Sequence, residues 1–240
     1  MKIIAFNGSP RGKRGNTYIM VEAFLKGAEE AGAQVEHVLL VKKKISNCTG
    51  CFRCWVRTPG KCVIDDDMSP LLDKMRTTDL IVFATPLYVD NVSGIMKNFM
   101  DRILPLGDPH LVKDEKGESR HPARHGKTPK IAVISNCGFP ELSHFQVLEL
   151  LFRRIARNLH SEVVAEIYRG EGELLKRSSS QLEPILDKYK DVLKKAGREV
   201  VERSRLSDET IEELKKPLVP YDKYISTANE FFDKILEKKD

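Results

Sequence analysis

The sequence predicts an α/β protein: a doubly wound, five-stranded parallel sheet with helices on both faces. Two observations predict it. Short, wholly apolar runs alternate along the chain with longer segments whose apolar residues recur at three and four. The first apolar run also opens into a glycine-containing turn, as a buried parallel strand does.

Ile3-Ile4-Ala5-Phe6 is the first strand. Met20, Ala23, Phe24, Ala28 and Ala31 then share one helical face, and Gly32 supplies a stop. Gln34 to Leu40 alternates as a second strand, and Leu80-Ile81-Val82-Phe83-Ala84 is a third, buried on both faces. Val92, Ile95, Met96, Phe99, Met100 and Ile103 mark a helix. Ile131-Ala132-Val133-Ile134 is the fourth strand, Phe145 to Ile155 a helix, Val163 to Tyr168 the fifth strand and Leu182 to Val201 the closing helix. Right-handed crossovers and the flavodoxin-like strand order 2-1-3-4-5 follow as one of the two common ways to wind such a sheet. That order places the turns after strands 1, 3 and 4 around one crevice at the carboxyl edge. Residues 1–205 make this unit, with a cysteine-rich insertion at 41–78 and a long polar loop at 104–129 carrying His110, His121 and His125. Residues 206–240 form a helical extension with two helix patterns separated by Pro217 and Pro220.

Charge excludes some partners. The net charge of +5 in 240 residues is modest and the signs are interspersed. No basic helix with interleaved aromatics is present, so no nucleic acid is expected. No stretch is apolar enough for a bilayer, and the chain enters its first strand without an export segment. A cytoplasmic protein with no membrane partner is the expectation.

The first turn, Gly8-Ser9-Pro10-Arg11-Gly12-Lys13-Arg14-Gly15-Asn16-Thr17, has the chemistry of an anion site. Gly8, Gly12 and Gly15 admit close backbone approach, Ser9, Asn16 and Thr17 offer side-chain donors, Arg11 adds charge, and a helix N-terminus follows. It is neither a Walker loop nor a dinucleotide fingerprint. The second turn, Thr85-Pro86-Leu87-Tyr88-Val89-Asp90-Asn91, is fixed by proline, and Tyr88 can lie against a flat ring. The third, Asn136-Cys137-Gly138-Phe139-Pro140, offers a glycine and an aromatic.

Four of the five cysteines cluster at Cys48, Cys51, Cys54 and Cys62, with Cys137 apart as a small buried hydrophobe. Three thiolates at a stride of three can meet three corners of a cubane, and a fourth arrives beyond a turn at Pro59-Gly60. Free thiols, a disulfide and structural zinc stay open beside an iron–sulfur cluster. Asp65, Asp66 and Asp67 are expected to cap the next helix rather than bind magnesium.

Gly-Ser-Pro-Arg-x(3)-Gly-Asn-Thr after strand 1, with Thr-Pro-Leu-Tyr and Met96-Lys97-x(3)-Asp101-Arg102, resembles the NAD(P)H-dependent FMN reductase superfamily over roughly residues 1–200. The resemblance implies that Ser9, Arg11, Asn16 and Thr17 hold the FMN phosphate, and that Pro86, Leu87, Tyr88, Asn91 and Gly138 belong to the flavin site. The four cysteines before Asp65-Asp66-Asp67-Met68 are similar to the iron–sulfur flavoprotein branch of that superfamily. There the motif binds [4Fe-4S], and subunits assemble so that clusters approach neighbouring flavins. An FMN-dependent oxidoreductase that exchanges electrons between flavin and [4Fe-4S] is therefore expected, with NAD(P)H or a redox protein such as ferredoxin as donor. No side chain is expected to be catalytic in its own right. A cluster-free NAD(P)H-dependent FMN or quinone reductase and a flavodoxin-like electron carrier are the alternatives. Tyr224, Ala228, Phe231, Phe232 and Ile235 form an apolar stripe on the tail, and with the resemblance they suggest a homo-oligomer.

Overall fold

The computed structural model describes residues 1–126, 128–176 and 179–237. Five parallel strands form its centre: β1 (Lys2–Asn7), β2 (Gln34–Leu39), β3 (Leu80–Tyr88), β4 (Lys130–Asn136) and β5 (Val163–Arg169). They lie in the order β2-β1-β3-β4-β5, the order that the alternating pattern predicts.

The pleat sorts the core into two halves. Ile3, Ala5, Val82 and Ile134 pack beneath α1 (Asn16–Glu30) and a long C-terminal helix (Glu183–Arg203). Ile4, Phe6, Phe83 and Val133 face the opposite layer. That layer contains the helices Met68–Arg76, Gly94–Asp101 and Gln146–Asn158. In chain order after α1, the helices are α2 (Arg53–Val56), α3 (Met68–Arg76), α4 (Gly94–Asp101), α5 (Gln146–Asn158), α6 (Glu183–Arg203), α7 (Asp208–Lys215) and α8 (Tyr221–Leu236). Helices α1 and α6 touch backbone to backbone: a Cβ on Gly197 would lie 1.9 Å from the Phe24 carbonyl oxygen.

The tail splits into two parts. Leu206, Leu214 and Leu218 are core residues beneath α6, whereas α8 buries none of its side chains and exposes Phe231 and Phe232. Two buried charges anchor the segment between α7 and α8. Arg169 at the end of β5 donates to the carbonyls of Leu214 and Lys216, and the Glu171 carboxylate accepts the amides of Leu218 and Val219. Among the described residues, no helix is long and apolar enough to cross a membrane.

The long 104–129 loop contains a short hairpin, Val112–Lys113 with Ser119–Arg120, tied to α5 by the Arg157–Asp114 and Arg154–Glu118 ion pairs. It meets the cysteine insertion through Trp55, whose indole donates to the Leu104 carbonyl at 2.8 Å and whose ring lies 4.7 Å from that of His121.

Candidate functional site

In the turn after β1, Gly8, Ser9, Gly12 and Gly15 are buried, while Pro10, Arg11, Lys13 and Arg14 are exposed. The Ser9 amide donates to Asn7 Oδ1 at 2.9 Å, the Gly8 amide to the Ala84 carbonyl, and Ser93 Oγ to the Gly8 carbonyl at 2.6 Å. Ser93 also caps α4 by accepting the Met96 amide, so the first turn and the start of α4 share one hydroxyl. Gly15 precedes α1 with no side chain capping the helix, which leaves its first amides available to an anion. A Cβ on Gly15 would lie 2.5 Å from Ser9 Oγ, so the cradle requires glycine there.

Ser9, Asn16 and Thr17 all sit in this cradle. Asn136, at the end of β4, donates its amide to Thr17 Oγ1 at 2.8 Å, and the Thr17 hydroxyl proton stays free for an acceptor such as phosphate. Asn16 Oδ1 is buried with no partner, an acceptor that a polyol hydroxyl satisfies. Arg11 is engaged elsewhere: its guanidinium pairs with Glu173 at 3.1 Å beyond β5, with both side chains half exposed.

The second turn differs from its expected form. Pro86 does not end the strand: β3 continues to Tyr88 and folds back antiparallel, pairing Leu87 with Val92 and Tyr88 with Asn91. Proline is tolerated because β1 stops pairing with β3 at Ala84, so no β1 carbonyl is left waiting for its missing N–H. Val89 and Asp90, at φ +49° and +55°, form the two-residue turn. Val89 is a strained choice there, being β-branched and 97% exposed. Asn91 spends its side-chain oxygen on the Val92 amide. Leu87, Val89, Asp90, Phe139 and His144 line a cleft of about 360 Å3, with the Phe139 and His144 rings stacked at 4.1 Å. Tyr88 and Gly138 are exposed beside it. Tyr224 of α8 reaches across to donate its hydroxyl to the Gly138 carbonyl at 2.6 Å. His144 and Tyr224 carry no sequence signal for this placement, since both arrive from other elements. The unpartnered Asn16 oxygen, the open helix N-terminus and the adjoining cleft together fit a phosphorylated, flat-ringed cofactor such as FMN.

The cysteine insertion leaves β2 at the same edge. Cys48, Cys51, Cys54 and Cys62 are free thiols that line one concavity of about 20 Å3 together with Arg102. Burial pushes the Cys54 thiol up, while the Arg53 amide and Thr49 hydroxyl lower that of exposed Cys51. Among the described residues, no three His, Cys, Asp or Glu side chains converge on a single ion. A closed zinc site requires such convergence at Zn–S distances of about 2.3 Å, whereas a cubane spreads its four thiolates over four corners. Four thiols lining one concavity are a donor set that an iron–sulfur cluster can use. Residues 45–52, in neither helix nor strand, can supply the room.

Asp66 does more than cap. It accepts the Met68 amide at the start of α3, as a cap would, but also the Ser46 amide and two bonds from Arg102 at 2.8 and 3.0 Å. Burial opposes its charge, yet the Arg102 bonds and the two amides outweigh burial and hold its carboxyl at about 2. Cys137 is 7% exposed, and burial pushes its thiol up to about 11, which keeps it neutral.

Residues 1–117 match the model of the NADPH-dependent FMN reductase family. Over these residues the chain is similar to that family. An iron-sulfur flavoprotein of Archaeoglobus fulgidus is 42% identical over 141 residues, covering 59% of this chain and 58% of that protein. One from Methanosarcina thermophila is 37% identical over 106 residues, covering 44% and 54%. The matched segments thus span a little over half the length of these relatives. Among solved structures, an NAD(P)H:quinone oxidoreductase from Methanothermobacter marburgensis aligns with a TM-score of 0.60 at 16% identity, over 83% of this chain and 98% of that one. An FMN-dependent NADH-azoreductase from Bacillus anthracis, in complex with FMN, aligns at 0.59 and 14%, over 83% and 99%. At such identities these structures speak for the fold alone.

Proposed function

We propose that the chain is an FMN-dependent oxidoreductase that exchanges electrons between FMN and a [4Fe-4S] cluster. Ser9, Asn16, Thr17 and the first amides of α1 would hold the phosphate. Leu87, Tyr88, Gly138 and Phe139 would border the ring, and Cys48, Cys51, Cys54 and Cys62 would ligate the cluster. Bound flavin takes two electrons together and releases them singly, which suits a one-electron neighbour. The chain's own residues would bind and orient it, with Leu87 and Phe139 as apolar walls beside the ring. NAD(P)H or a ferredoxin-like protein is the proposed donor, and a cytoplasmic homo-oligomer the proposed form.

The observation that carries this reading is the joining of two built features at one sheet edge. A phosphate cradle leaves β1, and four thiols lining one concavity follow β2. The cradle and the head of the insertion are neighbours, since a Cβ on Gly12 would lie 3.4 Å from Val41, seven residues before Cys48. Arg11 joins the phosphate in this proposal only by releasing Glu173.

Iron, sulfide and flavin analysis of anaerobically purified protein tests the reading. Cys51→Ser should lose iron and the broad visible absorbance while retaining most of its FMN. A fully flavinated parent that holds no iron after anaerobic reconstitution rules the cluster out. In that event the reading becomes the alternative, a cluster-free NAD(P)H:FMN or quinone reductase. Bleaching of the flavin band by NADPH or NADH would identify it.

A further inference from the structure

Arg102 is among the most buried side chains of the molecule, 1% exposed at the end of α4, yet it is not part of the hydrophobic packing. Its Nη1 donates to the Ser46 carbonyl at 2.6 Å, its Nη2 lies 3.4 Å from Cys62 Sγ, and both hold Asp66. Its Nε is buried with no partner. One turn earlier on α4, Asn98 donates to the Ile45 carbonyl at 2.7 Å. Two side chains four residues apart on one helix face therefore hold two successive carbonyls, those of Ile45 and Ser46, just before Cys48. Asp66, four residues after Cys62, fastens the other end of the insertion through the same guanidinium.

A buried guanidinium with a donor to spare is costly unless an acceptor meets it. The acceptors around Arg102 are the Ser46 carbonyl, a carboxylate and a cysteine sulfur. The Asp66 charge balances the pair as a whole, so the pair acts directionally: its N–H side faces Cys62 and its anionic side faces the Ser46 and Met68 amides. Donors aimed at a ligand sulfur stabilise the more negative, reduced form of an iron–sulfur centre and raise its potential.

We propose that Arg102 is the positioning residue of the four-cysteine site: it seats the ligand segment on α4 and raises the potential of the bound cluster by donating to the Cys62 side. The inference rests on the cluster reading above. It assigns a role to a side chain that contacts no flavin-site residue and ligates nothing itself.

The test compares the parent with Arg102→Gln, Arg102→Lys and Asp66→Asn. All four are reconstituted anaerobically with iron and sulfide, then titrated by electron paramagnetic resonance against potential. In Arg102→Gln the remaining cluster should titrate lower, with the reduced-to-oxidised ratio falling on the order of tenfold, about 59 mV for a one-electron couple. Arg102→Lys should fall between Gln and the parent. Asp66→Asn leaves the guanidinium unbalanced, so it should shift the potential upward. A residue that merely filled space would not give shifts of opposite sign. Should Arg102→Gln retain too little iron to titrate, the Lys and Asn variants decide by the same signs. Potentials equal to the parent's, shifts in one direction only, or loss of iron from every variant would each overturn the inference. A parent without iron removes the cluster reading as well, whereas a loaded parent with unshifted variants removes only the role of Arg102.

Discussion

The phosphate cradle and the cysteine segment leave adjacent strands of one sheet, yet they are held by different forces. The cradle is made of backbone: strand, 3-10 turn and helix follow within a few residues, and its amides point inward because α1 begins there. The cysteine segment has little regular structure and hangs from α4 through Asn98 and Arg102, and from Asp66. A site built on a helix end keeps its shape when one side chain goes. A segment held by a few side-chain tethers, among them a buried ion pair, depends on that pair far more.

Breaking each site in turn should expose the difference. Asp66→Ala strands the buried Arg102 cation and should cost about 3–5 kcal/mol in urea unfolding, with FMN affinity largely kept. Acid should act on the same group. The folded Asp66 carboxyl titrates at about 2, below its unfolded value near 3.9. Its contribution is thus fully present above about pH 4 and is lost as the pH falls through 2. Stability measured across that window should fall more steeply in the parent than in Asp66→Asn. If the two slopes match, Asp66 is not the tether.

On the cradle side, Thr17→Ala removes a donor to a charged acceptor. It should weaken FMN binding by about 1.5–3 kcal/mol in a fluorescence titration, with a smaller change in the unfolding midpoint. Asn16→Ala should weaken it in the same direction, and unchanged affinity in both variants would refute the phosphate assignment. The smallest effect belongs to the hairpin. Val89→Gly relieves a β-branched residue at positive φ and should raise Tm slightly, by no more than about 1 kcal/mol in stability. A clear loss of FMN in that variant would show that the exposed isopropyl group is needed at the cleft.

Much of this was legible in the sequence, because strand and helix periods are local. Ile3 to Phe6, Leu80 to Ala84 and Ile131 to Ile134 announce buried strands by composition alone, and the glycines before Asn16 announce the cradle. The four cysteines were visible as a group, but what secures them was not. Arg102 stood in a recognisable motif with nothing to mark it as buried, since a lone arginine is usually solvated. Its partner Asp66 lies 36 residues away. The antiparallel return of β3 was missed because a proline at the end of an apolar run ordinarily reads as a stop, and only the missing β1 neighbour makes it permissible. Arg11 shows the same limit in reverse: its charge was legible, but its pairing with Glu173 spans 162 residues and leaves no local trace.

The two charges at the end of β5 bear on the order in which the chain assembles. Arg169 and Glu171 are 1% and 0% exposed, and the backbone groups that satisfy them lie 45 to 48 residues further on. Chains emerge from the ribosome N-terminus first. Until residues 214–219 arrive, that guanidinium and carboxylate keep their water. The end of β5 is thus completed only after residues 214–219 have emerged. A ribosome-bound chain stopped before residue 214 should remain sensitive to protease between β4 and α6, and one extended past Val219 should not.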